Sequence, residues 1–187
     1  MEKYGPPVLV LLSGGIDSSA LVHFYTSAGS PTSAVFVNYG QAALAQEQTS
    51  ARNVADYYRV PLSLIDLDGG AQFKEGEIPS RNAFLLFSCL MFTGFSKGLI
   101  VMGIHSGTTY YDCSKEFQIV INSLLKGYTG GQVAFQTPFV EWTKADVVNY
   151  CRLNHVPIHL TYSCEHGGLP PCGKCRSCLD RRALDVV

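Results

Sequence analysis

With 187 residues, 47% of them hydrophobic, the chain is long enough to bury a core and short enough for one domain spanning residues 1–187. A formal net charge of −1 leaves no basic field to release phosphate counterions, which excludes general nucleic-acid binding and favours a small-molecule substrate. The most apolar helical segment, residues 83–95, is shorter than the about 18 apolar residues that cross a bilayer. Residues 1–7 carry no basic-then-apolar signal pattern, so the expectation is a cytoplasmic protein with no membrane partner.

In chain order, the apolar run Val8-Leu9-Val10-Leu11-Leu12 predicts a first strand, followed by Ser13-Gly14-Gly15-Ile16-Asp17-Ser18-Ser19 and a helix over 18–27. Gly14 and Gly15 let the backbone curl so that its N–H groups converge, and the new helix adds the positive end of its dipole. Such a nest suits phosphate. A Walker loop needs Gly-Lys-Ser/Thr where this chain has Ile16-Asp17-Ser18. Ser-Gly-Gly-x-Asp-Ser instead resembles the loop of enzymes that split ATP between its α and β phosphates. Ser13, Gly14, Gly15, Asp17, Ser18 and Ser19 are therefore the candidate nucleotide-binding residues. The plainer reading is a glycine turn in which Asp17 caps a helix.

Strand-like runs at 34–37, 62–65 and 99–102 alternate with helical patterns at 43–58 and 82–96, a βαβ series. In the 43–58 helix, Leu44, Ala51, Val54, Ala55 and Tyr58 predict a packed face, leaving Gln46, Glu47, Gln48 and Arg52 for solvent. Right-handed crossovers then give an open parallel sheet with helices on both faces and a ligand crevice at the strands' carboxyl ends. Adenine is expected against the backbone after 34–37. Helices are predicted at 115–126 and 143–154, the second opened by the capping-box pattern Thr143-Lys144-Ala145-Asp146. Residues 68–80 and 127–131 read as the most mobile segments.

Near the carboxyl end, Cys164, Cys172, Cys175 and Cys178 give C-x7-C-x2-C-x2-C. Overlapping C-x2-C turns bring thiolates to one tetrahedral ion, so a structural zinc element is predicted over 160–182. Four cysteines fill four positions and leave none for an activated water. Lys174, Arg176, Arg181 and Arg182 offset the thiolate charge, and His166 is a surplus ligand candidate. A redox relay is the rival reading. Cys89 and Cys151 read as buried apolar thiols.

Together with the loop and the cysteine run, Asn38-Tyr39-Gly40-Gln41, Ile65-Asp66-Leu67-Asp68, Pro79-Ser80-Arg81-Asn82, Asp112-Cys113 with Phe117, Thr137-Pro138 and Thr143-Lys144-Ala145-Asp146 resemble one family. It is that of the 7-cyano-7-deazaguanine synthases (QueC) of the queuosine pathway, PP-loop proteins of the adenine nucleotide alpha hydrolase-like superfamily. The resemblance implies a Rossmann-like α/β fold, ATP and magnesium as cofactors, and zinc in a structural role. It further implies adenylation of the carboxylate of 7-carboxy-7-deazaguanine, amide formation with ammonia, and a second ATP-driven dehydration to the nitrile.

On this resemblance Asp17 helps place magnesium, and Arg81 and Lys144 are the cations that let an anionic carboxylate approach an anionic phosphate. The guanine-like edge offers an N–H and an amino group side by side, which a carboxylate accepts with parallel hydrogen bonds. Asp112 is the candidate, with Tyr110, Tyr111 and Phe117 placed to stack on the heterocycle. The simpler alternative is that Asp112 or Ser114 caps the following helix.

The chain departs from the family pattern at the mouth of the site. Asn38 stands for an aspartate, Ala42-Ala43 for basic or histidine residues and His105 for an asparagine, and the segment between Asp68 and Pro79 is short. These changes bear on the acceptor, and relatives linked to anti-phage systems suggest a protein or peptide amine in place of ammonia. Sulfur transfer to tRNA and a non-catalytic nucleotide-binding zinc module are further alternatives. A homodimer is compatible with the apolar composition.

Overall fold

In a computed structural model, described for residues 5–67, 73 and 77–186, five parallel strands form one sheet in the order β3-β2-β1-β4-β5. The strands are β1 (Val8–Leu11), β2 (Thr32–Asn38), β3 (Leu62–Asp66), β4 (Gly98–Val101) and β5 (Val133–Gln136). The helices are α1 (Ile16–Ser27), α2 (Leu44–Tyr58), α3 (Arg81–Phe92), α4 (Lys115–Thr129), α5 (Lys144–Leu153) and α6 (Arg176–Ala183). Asp68 and most of the predicted mobile segment 68–80 lie outside the described residues.

Strand alternation divides the core between the two faces of the sheet. Val8 and Val10 pack with Leu21 of α1, Val54 of α2 and Val147 of α5. Leu9 and Leu11 point the other way, onto Leu86 of α3 and Ile121 and Leu125 of α4. The predicted open sheet with helices on both faces is therefore present. Its order reverses between β1 and β4, so a crevice opens at the carboxyl end of β1, where the glycine loop begins.

Several boundaries differ from the sequence reading. Helix α1 starts at Ile16, which puts Asp17 in its first turn. Helix α3 ends at Phe92, well before residue 96. Residues 127–129 continue α4 instead of forming a loop, and Gly130, at φ +60°, ends it. Strand β5 and helix α6 were not predicted. The capping box of α5 is present: Asp146 N–H donates to Thr143 Oγ1 at 3.1 Å and Thr143 N–H to Asp146 Oδ2 at 2.8 Å.

Candidate active site

The turn out of β1 is shaped by packing against α2. Gly14 has φ +80°, and a Cβ there would lie 2.5 Å from the Glu47 carbonyl oxygen and 2.9 Å from Ala51 N. Only glycine fits both demands. Gly14 thus serves as the pivot of the loop, whereas Gly15 faces the crevice, where a Cβ would meet Ser13 Oγ at 3.5 Å, an ordinary contact.

Gly15 is also the N-cap of α1, and no side chain caps that helix. First-turn N–H groups have no partner within a helix, so those of α1 remain available to an anion beside the dipole's positive end. Ser13 Oγ and Ser18 Oγ lie 3.2 Å apart at the same edge. Ser19 is different: it is buried, gives its hydroxyl to Gly15 O at 2.8 Å and does not line the crevice. Its predicted phosphate contact is corrected to a role inside the loop.

Asp17 is not a helix cap. Its carboxylate receives both hydrogen bonds of a Lys144 ammonium on α5, at 2.7 and 2.6 Å, across the mouth of the loop. The close approach behind it depends on Gly103, just past β4, where a Cβ would sit 2.8 Å from Asp17 Cβ. Loop, Asp17 and Lys144 line one cavity of about 600 Å³ over the carboxyl edge of the sheet, floored by Leu11, Leu12, Val35 and Val37.

Arg81, the first residue of α3, also lines this cavity, with Nε bonded to Asn82 Oδ1 at 3.2 Å. Facing it from α2 is Glu47, which accepts from Gln41 Nε2 at 3.3 Å. Burial pushes the Glu47 carboxyl above its ordinary value, against the opposing pull of Gln41 and the Arg81 charge. The prediction that Glu47 faces solvent is thereby corrected: in the first turn of α2 it lines the cavity, whereas Gln46, Gln48 and Arg52 lie outside the lining. Burial likewise raises Tyr39 beside Arg81.

The four residues proposed for base recognition separate, and Tyr111 is exposed outside the lining. Tyr110 lines the cavity. Phe117 does not: it is buried in the core, edge-to-face with Tyr111 and Phe135. Asp112 is buried outside the lining, and its Oδ2 accepts the Asn82 N–H at 3.1 Å. It therefore closes the start of α3, the helix before it in sequence, while Ser114 caps α4 by accepting from Phe117 N–H at 3.1 Å. Nearby, burial raises the Cys113 thiol to about 11, which removes it as a nucleophile near neutrality. Burial also holds Cys89 and Cys151 up at about 12, as buried thiols.

The segment that carries the cysteine run supplies Ser163, Glu165, Arg176 and Asp180 to the cavity wall, and its Tyr162 N–H donates to Gly14 O at 2.9 Å. Ligand atoms of Cys164, Cys172, Cys175 and Cys178 all lie within 4.8 Å of one another, a donor set that fits one tetrahedrally held metal ion. The Cys172 and Cys175 N–H groups point at Cys164 Sγ (3.3 Å) and Cys172 Sγ (3.4 Å), support that suits thiolates. His166 Nδ1 lies 3.4 Å from Cys172 Sγ.

Cys175 is the N-cap of α6, and Glu165 accepts from Ser177 N–H and Oγ at 3.0 and 2.8 Å, fixing the helix start. Arg176 donates to Gly107 O at 2.7 Å, and Arg181 Nη1 to Thr161 and Ser163, both at 3.0 Å. Arg176, Asp180 and Arg181 all line the cavity, so α6 does more than balance thiolate charge. His105 also lines the cavity; burial shifts it downward, while Asp17 and Asp180 pull it up and Lys144 and Arg176 push it down.

A parallel sheet whose first strand feeds a glycine turn and an uncapped helix, with a lysine–aspartate pair at the edge of that turn, is the architecture of a PP-loop-type nucleotide enzyme. A family profile described as "Queuosine biosynthesis protein QueC" matches residues 7–78 and 70–184. The chain is 32% identical to the 7-cyano-7-deazaguanine synthase of Paracoccus denitrificans, over 93% of this chain and 86% of that one. It is 31% identical to that of Archaeoglobus fulgidus, over 92% and 83%. The chain belongs to the QueC family and is an ATP-dependent carbon–nitrogen ligase similar to these synthases.

Two solved structures share the fold at low identity. The U34-tRNA thiolase NcsA from Methanococcus maripaludis, with its [4Fe-4S] cluster, superposes with a TM-score of 0.57 at 13% identity, over 98% of this chain and 66% of that one. An NH3-dependent NAD synthetase from Campylobacter jejuni gives 0.53 at 16% identity, over 87% and 71%. Among the described residues no helix is long and apolar enough to cross a membrane.

Proposed function

We propose that this enzyme adenylates the carboxylate of 7-carboxy-7-deazaguanine with ATP and magnesium, releases pyrophosphate and passes the acyl group to a nitrogen nucleophile. The observation that carries the proposal is the Lys144–Asp17 pair at the rim of the uncapped loop. The polyphosphate tail lies on the N–H groups of α1 and on Ser13 and Ser18. Lys144 and Arg81 offset charge as the carboxylate nears the α-phosphate, and Asp17 helps place magnesium. Catalysis of this kind is mainly placement. Ammonia is the default acceptor, and a second round of ATP use then gives the nitrile. The four thiolates hold zinc, which braces residues 160–182 of a single-domain cytoplasmic protein.

One observation favours a second reading. Ala42 and Ala43 line the cavity with methyl groups only, which places no fixed charge at this rim where an acceptor amine enters. In this reading the product is an amide between the deazaguanine and a protein or peptide amine. Incubation with ATP, magnesium, 7-carboxy-7-deazaguanine and either ammonia or candidate proteins, followed by mass spectrometry, tests both. AMP and pyrophosphate with a nitrile support the first, and a protein adduct supports the second. Absence of AMP in every mixture sinks adenylation itself.

A further inference from the structure

We propose that Asp180 is the residue that reads the N–H and amino edge of the deazaguanine, an inference that rests on the substrate proposed above. A carboxylate suited to that edge must reach the cavity with both oxygens free to accept. Of the lining carboxylates, Asp17 is held by Lys144 at 2.6 Å and Glu165 by Ser177 at 2.8 Å. Glu47 is engaged by Gln41 at 3.3 Å and sits on the α2 wall, over the strand ends that suit adenine. Among the described residues the Asp180 side chain has no hydrogen bond or ion pair. Asp112, the residue that the family resemblance suggested, spends Oδ2 on Asn82 and lies outside the lining.

The position of Asp180 suits the reaction. His105 lines the cavity and feels the charges of Asp17, Lys144, Asp180 and Arg176, and it accepts at Nδ1 from Gly107 N–H (3.0 Å), the residue whose carbonyl accepts from Arg176 of α6 at 2.7 Å. A flat heterocycle laid beside His105 directs its carboxylate to Lys144 and its opposite, amino-bearing end to Asp180. Helix α6 is also held firmly: Cys175 caps it, Glu165 fixes its first turn, and Arg181 ties it to Thr161 and Ser163. A polar group on so constrained an element discriminates well, because a mismatched ligand leaves it unpaired.

Calorimetric titration of the metal-loaded, full-length protein tests this. The ligands are 7-carboxy-7-deazaguanine, the corresponding 7-deazaadenine carboxylate and a non-hydrolysable ATP analogue. Asp180→Asn is expected to weaken the guanine-type ligand by about 10- to 100-fold. It leaves the ATP analogue, the metal content and the melting temperature unchanged, and the preference over the adenine-type ligand falls. Asp112→Asn serves as the comparison and keeps that preference. Guanine-type binding that Asp180→Asn leaves intact, or an equal loss for both heterocycles, overturns the assignment while the proposed substrate stands. No binding of the deazaguanine by the unmodified protein overturns the substrate and this assignment together.

Discussion

Lys144 and Asp17, 127 positions apart, meet through two hydrogen bonds of 2.7 and 2.6 Å, with each side chain 22% exposed. The pair joins the N-termini of α5 and α1, so the fold brings a cation to the phosphate loop from the far end of the chain. Replacing Lys144 with alanine is expected to slow pyrophosphate release by about 100- to 1000-fold, the usual worth of one fixed charge on a developing anion. Asp17→Asn should do the same and shift the magnesium requirement. Pyrophosphate release by Lys144→Ala at close to the unmodified rate would remove the pair from the chemistry.

The two loop glycines should respond differently to alanine. Gly14→Ala places a Cβ 2.5 Å from the Glu47 carbonyl at a φ of +80°, so α2 must move away from the loop. A loss of several kcal/mol, on the scale of a strained left-handed residue plus a backbone clash, is expected in urea unfolding. Gly15→Ala meets nothing closer than 3.5 Å and should fold normally while weakening ATP binding at the crevice face. Equal stability of the two variants contradicts this division.

Metal removal should act first on the α6 wall. Chelation, or Cys172→Ser, is expected to lower the melting temperature by on the order of 10 °C, since metal binding contributes directly to folding. Deazaguanine binding should disappear, and because Tyr162, packed on the cysteines, donates its N–H to Gly14 O at 2.9 Å, binding of the ATP analogue should weaken to a smaller degree. Parallel titrations of the two ligands with metal analysis check this. Simultaneous loss of both ligands, or neither, contradicts it.

Glu47 sets a pH signature. Burial raises its carboxyl above the ordinary 4.5, so the folded protein binds that proton more tightly than the unfolded chain. The resulting stabilisation is complete below pH 4.5 and is lost as pH rises through the folded-state value. Glu47→Gln cannot lose a proton, so relative to the unmodified protein it should gain stability between acid and neutral pH. Urea unfolding across that range measures the difference, and parallel curves would show that Glu47 is not shifted.

The architecture was legible where residue pattern has one physical cause. Apolar runs before glycine turns marked β1 to β4, and the Thr143–Asp146 spacing marked the start of α5. Strand β5 was missed because Val133–Gln136 offers only the apolar stretch Val133-Ala134-Phe135, too little to stand out as a strand pattern. Helix α6 was hidden because Cys178 is its only buried residue among those described, so metal ligation replaces the apolar stripe that reveals a helix. Periodicity also separates packed from unpacked positions without distinguishing solvent from a cavity, which is why Glu47 was misread. Asp112 was misread for a different reason: sequence spacing suggests the next helix, whereas the carboxylate serves the one before it.

The metal segment and the loop after β2 also touch, and this limits how the chain can change. Gly167, at φ +69°, rests so near that a Cβ would fall 2.4 Å from the Ala42 carbonyl oxygen, and Ala43 is packed with Tyr162 and the cysteines. An imidazole introduced at position 43 has no space unless residues 162–168 recede with it. Introducing larger side chains at this rim is therefore blocked one mutation at a time, and the two loops must change as a pair.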